Sequence, residues 1–67
     1  MDTLKIKAKI VENGLTQKDV AKALSIAEPT VSQKINNIRP TNLNEAKKLM
    51  DLLKISEEEF PKYFFTQ

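Results

Sequence analysis

The chain is 67 residues long, 40% hydrophobic and 30% charged, with eleven Lys and Arg against nine Asp and Glu. Those proportions describe one small folded domain over residues 1–67, with no room for a second and no sign of disorder. Cys and His are both absent, which excludes disulfide staples, thiolate or imidazole metal sites, thiol nucleophiles and histidine acid–base chemistry.

A chain this short buries only roughly 60% of its unfolded surface, so capped, well-packed helices are its economical solution. The composition agrees: one Gly, three Pro, and much Lys, Glu, Leu and Ala, with few breakers and strong helix formers. A first helix is expected from about Leu4 to Asn13, capped by Asp2 or Thr3. Its apolar stripe is read as Leu4, Ala8 and Val11, widened by Ile6 and Ile10, with Lys5, Lys9 and Glu12 turned outward. Asn13-Gly14 is its stop. A second helix starts after Thr16, with Asp19 three residues on as a weaker capping box. It ends near Leu24 with Val20, Ala21 and Leu24 inward. After Ser25-Ile26-Ala27, a third helix is expected from Glu28 to Asn36. Pro29 suits its first turn, and Val31 and Ile35 face inward.

Asn42 with Glu45 three residues later announces a fourth helix, on which Leu43, Ala46, Leu49, Met50 and Leu53 recur at helical spacing. Ser56 and Glu59 repeat the signal and open a short fifth helix, which Pro61 either joins in its first turns or stops early. Phe60, Tyr63, Phe64 and Phe65 are assigned to the core, the tail folding back on it. The fold class expected is therefore all-α, a compact domain of four to five helices.

The stretch TQKDVAKALSIAEPTVSQKI, residues 16–35, carries the functional signal. Two short helices are joined by about three residues, as in a helix-turn-helix. Ala21 is small where the axes cross, Ile26 can plug the corner, and Val31 and Ile35 pin the second helix to the first. A helix held in this way stands out from the body and fits a major groove.

This segment, with its helix-turn-helix at about residues 17–36, resembles the phage Cro and lambda-repressor-like family of DNA-binding proteins. The capped first helix, the run NIRPTNLNEAKKLMDLLKIS and the Ser-x-x-Glu start of the fifth helix extend the likeness over nearly the whole chain. The resemblance implies a transcriptional regulator that binds double-stranded operator DNA as a dimer, weak or DNA-induced, on a two-fold site. It implies base contacts from Glu28, Pro29, Thr30, Ser32 and Gln33. An amide such as Gln33 pairs with adenine, Glu28 can accept from cytosine N4, and Pro29 or the Thr30 methyl can meet a thymine methyl. Phosphate contacts are implied for Thr16, Gln17, Lys34, Asn36, Asn37, Arg39, Thr41 and Asn42, with the N–H groups at the second helix start aiding Gln17. Asn36 and Asn37 also read simply as the end of the third helix. The chain departs from the family at Ser25, where Gly is usual, and at Ala27-Glu28-Pro29, where a Ser or Thr cap is usual. A left-handed Ser25 costs roughly 1–2 kcal/mol.

Charge is uneven. Residues 1–40 carry seven basic and four acidic side chains, and the remainder four and five, a mild basic excess compatible with a polyanion. Lys5, Lys7 and Lys9 read as a solvated face. No paired acids and no Gly-rich phosphate loop appear, so no enzyme activity, cofactor, metal or small-molecule substrate is expected. The alternatives are a protein-interaction module of the same fold, antirepressor or antitoxin-like, or the DNA-binding half of a longer repressor. The aromatic tail, unlike a linker, favours a whole small protein. No run approaches the ~20 apolar residues of a membrane span and no secretory signal is present. The expected location is cytoplasmic, in a bacterial host if phage-encoded.

Overall fold

Three side chains start three helices. In the computed structural model, which describes residues 1–65, Asp2 accepts from the Lys5 N–H at 3.1 Å and opens α1 (Thr3–Glu12). Thr16 and Asp19 cap each other reciprocally at the head of α2 (Gln17–Leu24). The Thr16 N–H reaches Asp19 Oδ2 at 2.8 Å, and the Asp19 N–H reaches Thr16 Oγ1 at 3.3 Å. Asn42 and Glu45 repeat that box at 3.1 and 2.8 Å before α4 (Leu43–Leu53). A polar cap of this kind contributes about 1 kcal/mol by satisfying N–H groups that a helix start leaves open. No side chain caps α3 (Glu28–Ile35), which has Ala27 at its N-cap and Pro29 in its first turn. Its boundary comes one residue before the expected Asn36, which serves as C-cap.

Ser56 caps a turn rather than a helix. Glu59 and Phe60 donate back to it, and α5 (Phe60–Phe64) follows with Pro61 in its first turn. Among the described residues there are these five helices and no strand, and none is long and apolar enough to cross a membrane.

The core draws Ile6 and Ile10 from α1, Val20, Ala21 and Leu24 from α2, Val31 and Ile35 from α3, Leu49 and Leu53 from α4, and Ile55 beyond it. Ile26, Leu15 and Met50 are partly buried against it, so Ile26 lies where a corner plug belongs. Helix α2 packs on α3 and α4, and α3 also meets α1.

Three expectations are corrected. On α1 the buried pair is Ile6 and Ile10, while Leu4 is 79% and Val11 75% exposed and Ala8 is exposed with them. The sequence offers two apolar stripes on this helix, and the β-branched pair won because α3 and the body lie on its side. Leu43 is exposed although it shares the helical spacing of Ala46 and Leu49, because it occupies the first turn of α4, beyond the packed layer. The aromatic tail does fold back, with Tyr63 and Phe64 packed against the edge of the core, but none of its side chains is fully buried. Phe60, Tyr63 and Phe64 are half-buried and Phe65 is exposed. Phe60 instead stacks on Phe64 at 4.5 Å and meets Phe65 edge-on at 5.6 Å.

Polar ties join the helix ends. Thr3 Oγ1 donates to the Ile35 carbonyl at 2.7 Å, Asn13 Nδ2 to the Leu53 carbonyl at 3.1 Å, and the Asp2 N–H to the Tyr63 carbonyl at 2.7 Å. Ser25 ends α2 in the left-handed region, at φ 57° and ψ 42°, the conformation in which a side chain is strained and glycine is not.

Replacing Ser25 by Gly therefore raises stability by about 1 kcal/mol, read as a thermal midpoint roughly 4–8 °C higher. An unchanged or lower midpoint refutes the strain. Ile35→Ala, at a side chain only 1% exposed, lowers stability by about 2–5 kcal/mol. A domain this small then loses its cooperative transition.

Candidate nucleic-acid interface

The helix-turn-helix unit is built by burying one side of α3. At about 100° per residue, Val31 and Ile35 define the inward direction, and both are buried. Gln33 and Pro29 then point most directly away from the body. Thr30 and Ser32 stand toward the flanks, and Glu28 sits exposed at the N-terminal end. Pro29 is exposed, and Thr30, Ser32 and Gln33 are half-buried. Of the five residues expected to read bases, Ser32 also engages its own helix end: its carbonyl accepts from Asn36 Nδ2 at 2.8 Å.

The eight residues expected at phosphates divide into two groups. Gln17, Arg39 and Thr41 make no side-chain hydrogen bond among the described residues, and Arg39 is exposed. Gln17 opens α2, and the N–H groups that a helix start leaves open favour an anion. The other five are already occupied. Thr16 and Asn42 are spent in capping boxes. Asn36 bonds back to Ser32. Asn37, at φ 62°, accepts from the Met1 ammonium at 2.6 Å and donates to the Met1 carbonyl at 2.8 Å. Lys34 turns away from the outward face of α3 altogether. Its ammonium lies 2.6 Å from Glu45 Oε1 and 3.1 Å from the Pro40 carbonyl, with both charged side chains largely shielded from water.

The Lys34–Glu45 pair was not legible from spacing, because Glu45 is also the capping-box acid of α4. One carboxylate thereby makes two connections: it takes the Asn42 N–H and holds Lys34, and so clamps the α3–α4 loop. That loop carries Arg39 and Thr41. The clamp ties the Lys34 ammonium to Glu45 and to the Pro40 carbonyl of the loop.

Two carboxyls titrate below their ordinary range. The Lys34 hydrogen bond is the main cause for Glu45, aided by the Asn42 N–H and opposed by desolvation. For Asp19 the cause is the Thr16 N–H and then its hydroxyl. Asp19 is thereby turned onto its own helix start, so its charge is partly satisfied beside Gln17. Among the described residues no cluster of acids is gathered to hold a metal ion.

Both shifts act on stability in the same direction. A carboxyl whose folded pKa is depressed stabilises the fold at pH values above its unfolded value, near 4. That contribution is lost as pH falls through the lower, folded value. Stability is thus expected to hold flat from about pH 7 to 5 and to fall below about pH 4. Lys34→Met abolishes most of the Glu45 shift, so NMR titration of the Glu45 carboxyl returns it to the ordinary glutamate range. A Glu45 titration unmoved by that substitution contradicts the clamp.

Comparison of the sequence with curated proteins finds no match. A family pattern does match, over residues 1–67, under the description "Protein of unknown function (DUF739)". With its whole length covered, the chain belongs to the DUF739 family.

Proposed function

We propose that the protein is a sequence-specific DNA-binding transcriptional regulator, Cro-like in manner, acting as a two-fold dimer on operator DNA with α3 in the major groove. One observation carries the reading. Helix α3 is anchored by Val31 and Ile35 on one side only, which leaves Pro29, Thr30 and Gln33 off the packed side of the helix.

The α3 helix of eight residues is about 12 Å long, matched to the roughly 12 Å width of the major groove. Gln33 is the readiest base reader, since its amide offers a donor and an acceptor to adenine. Pro29 and the Thr30 methyl supply apolar contact. Glu28 selects, either by accepting from cytosine or by repelling sites whose phosphates or acceptors approach it. Gln17, the open N–H groups beside it, Arg39 and Thr41 supply the backbone contacts that set register. Modest net charge throws weight onto neutral donors at phosphates, and affinity still falls as salt rises. Dimers of this kind read half-sites about 34 Å apart. Occupying a promoter then excludes polymerase.

Selection from random duplexes by the purified protein is expected to return an inverted repeat. On that duplex Gln33→Ala costs about 1–3 kcal/mol, roughly 5- to 150-fold in affinity, and relaxes preference at one base pair. Gln17→Ala weakens all duplexes alike. Equal anisotropy curves on selected and scrambled duplex at about 150 mM salt refute specific readout. They leave protein contact, in the antirepressor or antitoxin manner, as the use of the same fold.

A further inference from the structure

A hollow of about 450 Å³ lies between the α3–α4 loop and α5, with Ile38, Arg39, Leu43, Phe60, Phe64 and Phe65 in its lining. Its apolar wall is built largely of rings. Phe60 stacks on Phe64 with centroids 4.5 Å apart, and Phe65 meets Phe60 edge-on at 5.6 Å. Its charge is of one sign. Arg39 brings a guanidinium that has no ion-pair partner among the described residues, and the Met1 ammonium is already held by Asn37 Oδ1. Thr41 adds a hydroxyl. Among the described residues no acid lines the hollow.

The loop side of this hollow is fixed in advance. The N–H groups of Ile38 and Arg39 both donate to the Gln33 carbonyl, at 2.8 and 3.2 Å, and the Lys34 ammonium holds the Pro40 carbonyl at 3.1 Å. The seat is thus formed before any ligand arrives, and a ligand does not have to order it.

We propose that this hollow binds a small aromatic carboxylate, as an effector rather than a substrate. Its volume falls in the range of about 300–1,000 Å³ that holds small molecules, and such pockets set a few polar groups in a mostly apolar, aromatic wall. A flat ring adds to the three phenylalanines by offset or edge-on contact. The Arg39 guanidinium then offers its planar fork to the carboxylate, with the Thr41 hydroxyl as a further donor. An uncharged arene gains the apolar part alone, and a cationic one is repelled.

Two other hollows lack this combination. One of about 240 Å³ shares Leu43 and Phe60 but carries Lys47 and Glu57 together, so its charge selects neither sign. One of about 410 Å³ beside α1 sets Lys7 among Ile10, Val11 and Leu15 and has no ring to stack on.

The regulatory consequence rests on the proposed DNA-binding function. There Arg39 and Thr41 serve at phosphates, so the ligand carboxylate and the duplex compete for one guanidinium. The effector releases the operator, and by linkage the operator weakens the effector by the same factor.

The probe is naphthalene-2-carboxylate (naphthoate), titrated into the full chain without DNA and followed by NMR. Saturable shifts are expected at Ile38, Arg39, Leu43 and Phe64, with a Kd of about 0.1–1 mM. The uncharged naphthamide binds at least tenfold more weakly, and naphthylmethylamine more weakly still. Arg39→Gln removes the preference for the carboxylate over the amide. Leu43→Glu, at an exposed first-turn position where an acid suits the helix, sets a like charge beside the ligand and weakens naphthoate at least tenfold. No saturable shift at these residues up to about 10 mM, an amide or amine that binds as well as naphthoate, or an unaltered affinity in both variants overturns the site. A second arm uses the selected duplex, with sodium chloride matching the ionic strength of the added naphthoate. At about ten times its Kd, naphthoate weakens duplex binding roughly tenfold in the wild type and no more than about twofold in Leu43→Glu. A wild type whose duplex affinity does not move overturns the competition. The two readings fail separately. Carboxylate-dependent shifts in a protein that binds no duplex keep the site and remove the DNA function. Specific duplex binding by a protein that shows no such shifts keeps the DNA function and removes the site.

Discussion

An eight-residue helix has no stability of its own in water, because nucleating a turn costs more than so few hydrogen bonds return. Helix α3 exists because Val31 and Ile35 are driven out of water against α1 and α2. Burying two such side chains gains roughly 1.5–3 kcal/mol each. Everything proposed for this protein depends on that burial being one-sided. A third apolar residue at Gln33 would draw the helix inward or leave a sticky surface. Polar residues at Val31 and Ile35 would release it. The alternation of two anchors with Pro29, Thr30 and Gln33 is what leaves one side of α3 outside the packed core.

Around that helix the chain spends its polar groups on joining ends. Thr3 holds the last turn of α3, Asn37 holds the N-terminus, and Lys34 holds the head of α4 through Glu45. Each bond links two places apart in sequence, which substitutes for the disulfides and the thiolate or imidazole metal sites that the composition rules out. The Lys34–Glu45 pair matters most, since breaking one side strands a shielded charge, and such losses exceed the net gain from making the pair. Its position explains why the α3–α4 loop, with Arg39 and Thr41, is held without long elements of its own.

The strain at Ser25 belongs to the same logic. The turn between α2 and α3 has to reverse the chain within three residues and drop Ile26 into the corner. A left-handed residue achieves that reversal, and burial of Leu24 and Ile26 on either side holds Ser25 there against its preference. Lys54 ends α4 with nearly the same angles, φ 57° and ψ 43°, and delivers Ile55 to the core. Two helix ends thus use one device, each followed at once by an apolar residue that fixes it.

Read alone, the sequence determined what is local. Side chains at Asp2, Thr16 and Asn42 compete for the first N–H groups of the next turn whatever the rest of the chain does, so the helix starts were legible. The inward faces of α2 and α3 were legible too, because each carries a single apolar stripe. The all-α class and the helix-turn-helix spacing follow from those two facts. Tertiary structure decided what depends on neighbours. On α1, Ile6 and Ile10 went inward and Leu4, Ala8 and Val11 outward, a choice between two stripes that only the position of α3 settles. Lys34, polar on a helix flank, was drawn to Glu45 because α4 returns beside it. Thr16, Asn36, Asn37 and Asn42 were absorbed into caps and ties, since a polar side chain bonds the nearest unsatisfied group before it serves a ligand. The aromatic tail packs Tyr63 and Phe64 on the rim of the core rather than inside it and stacks Phe60 on Phe64, because the interior is already filled by Leu49, Leu53 and Ile55.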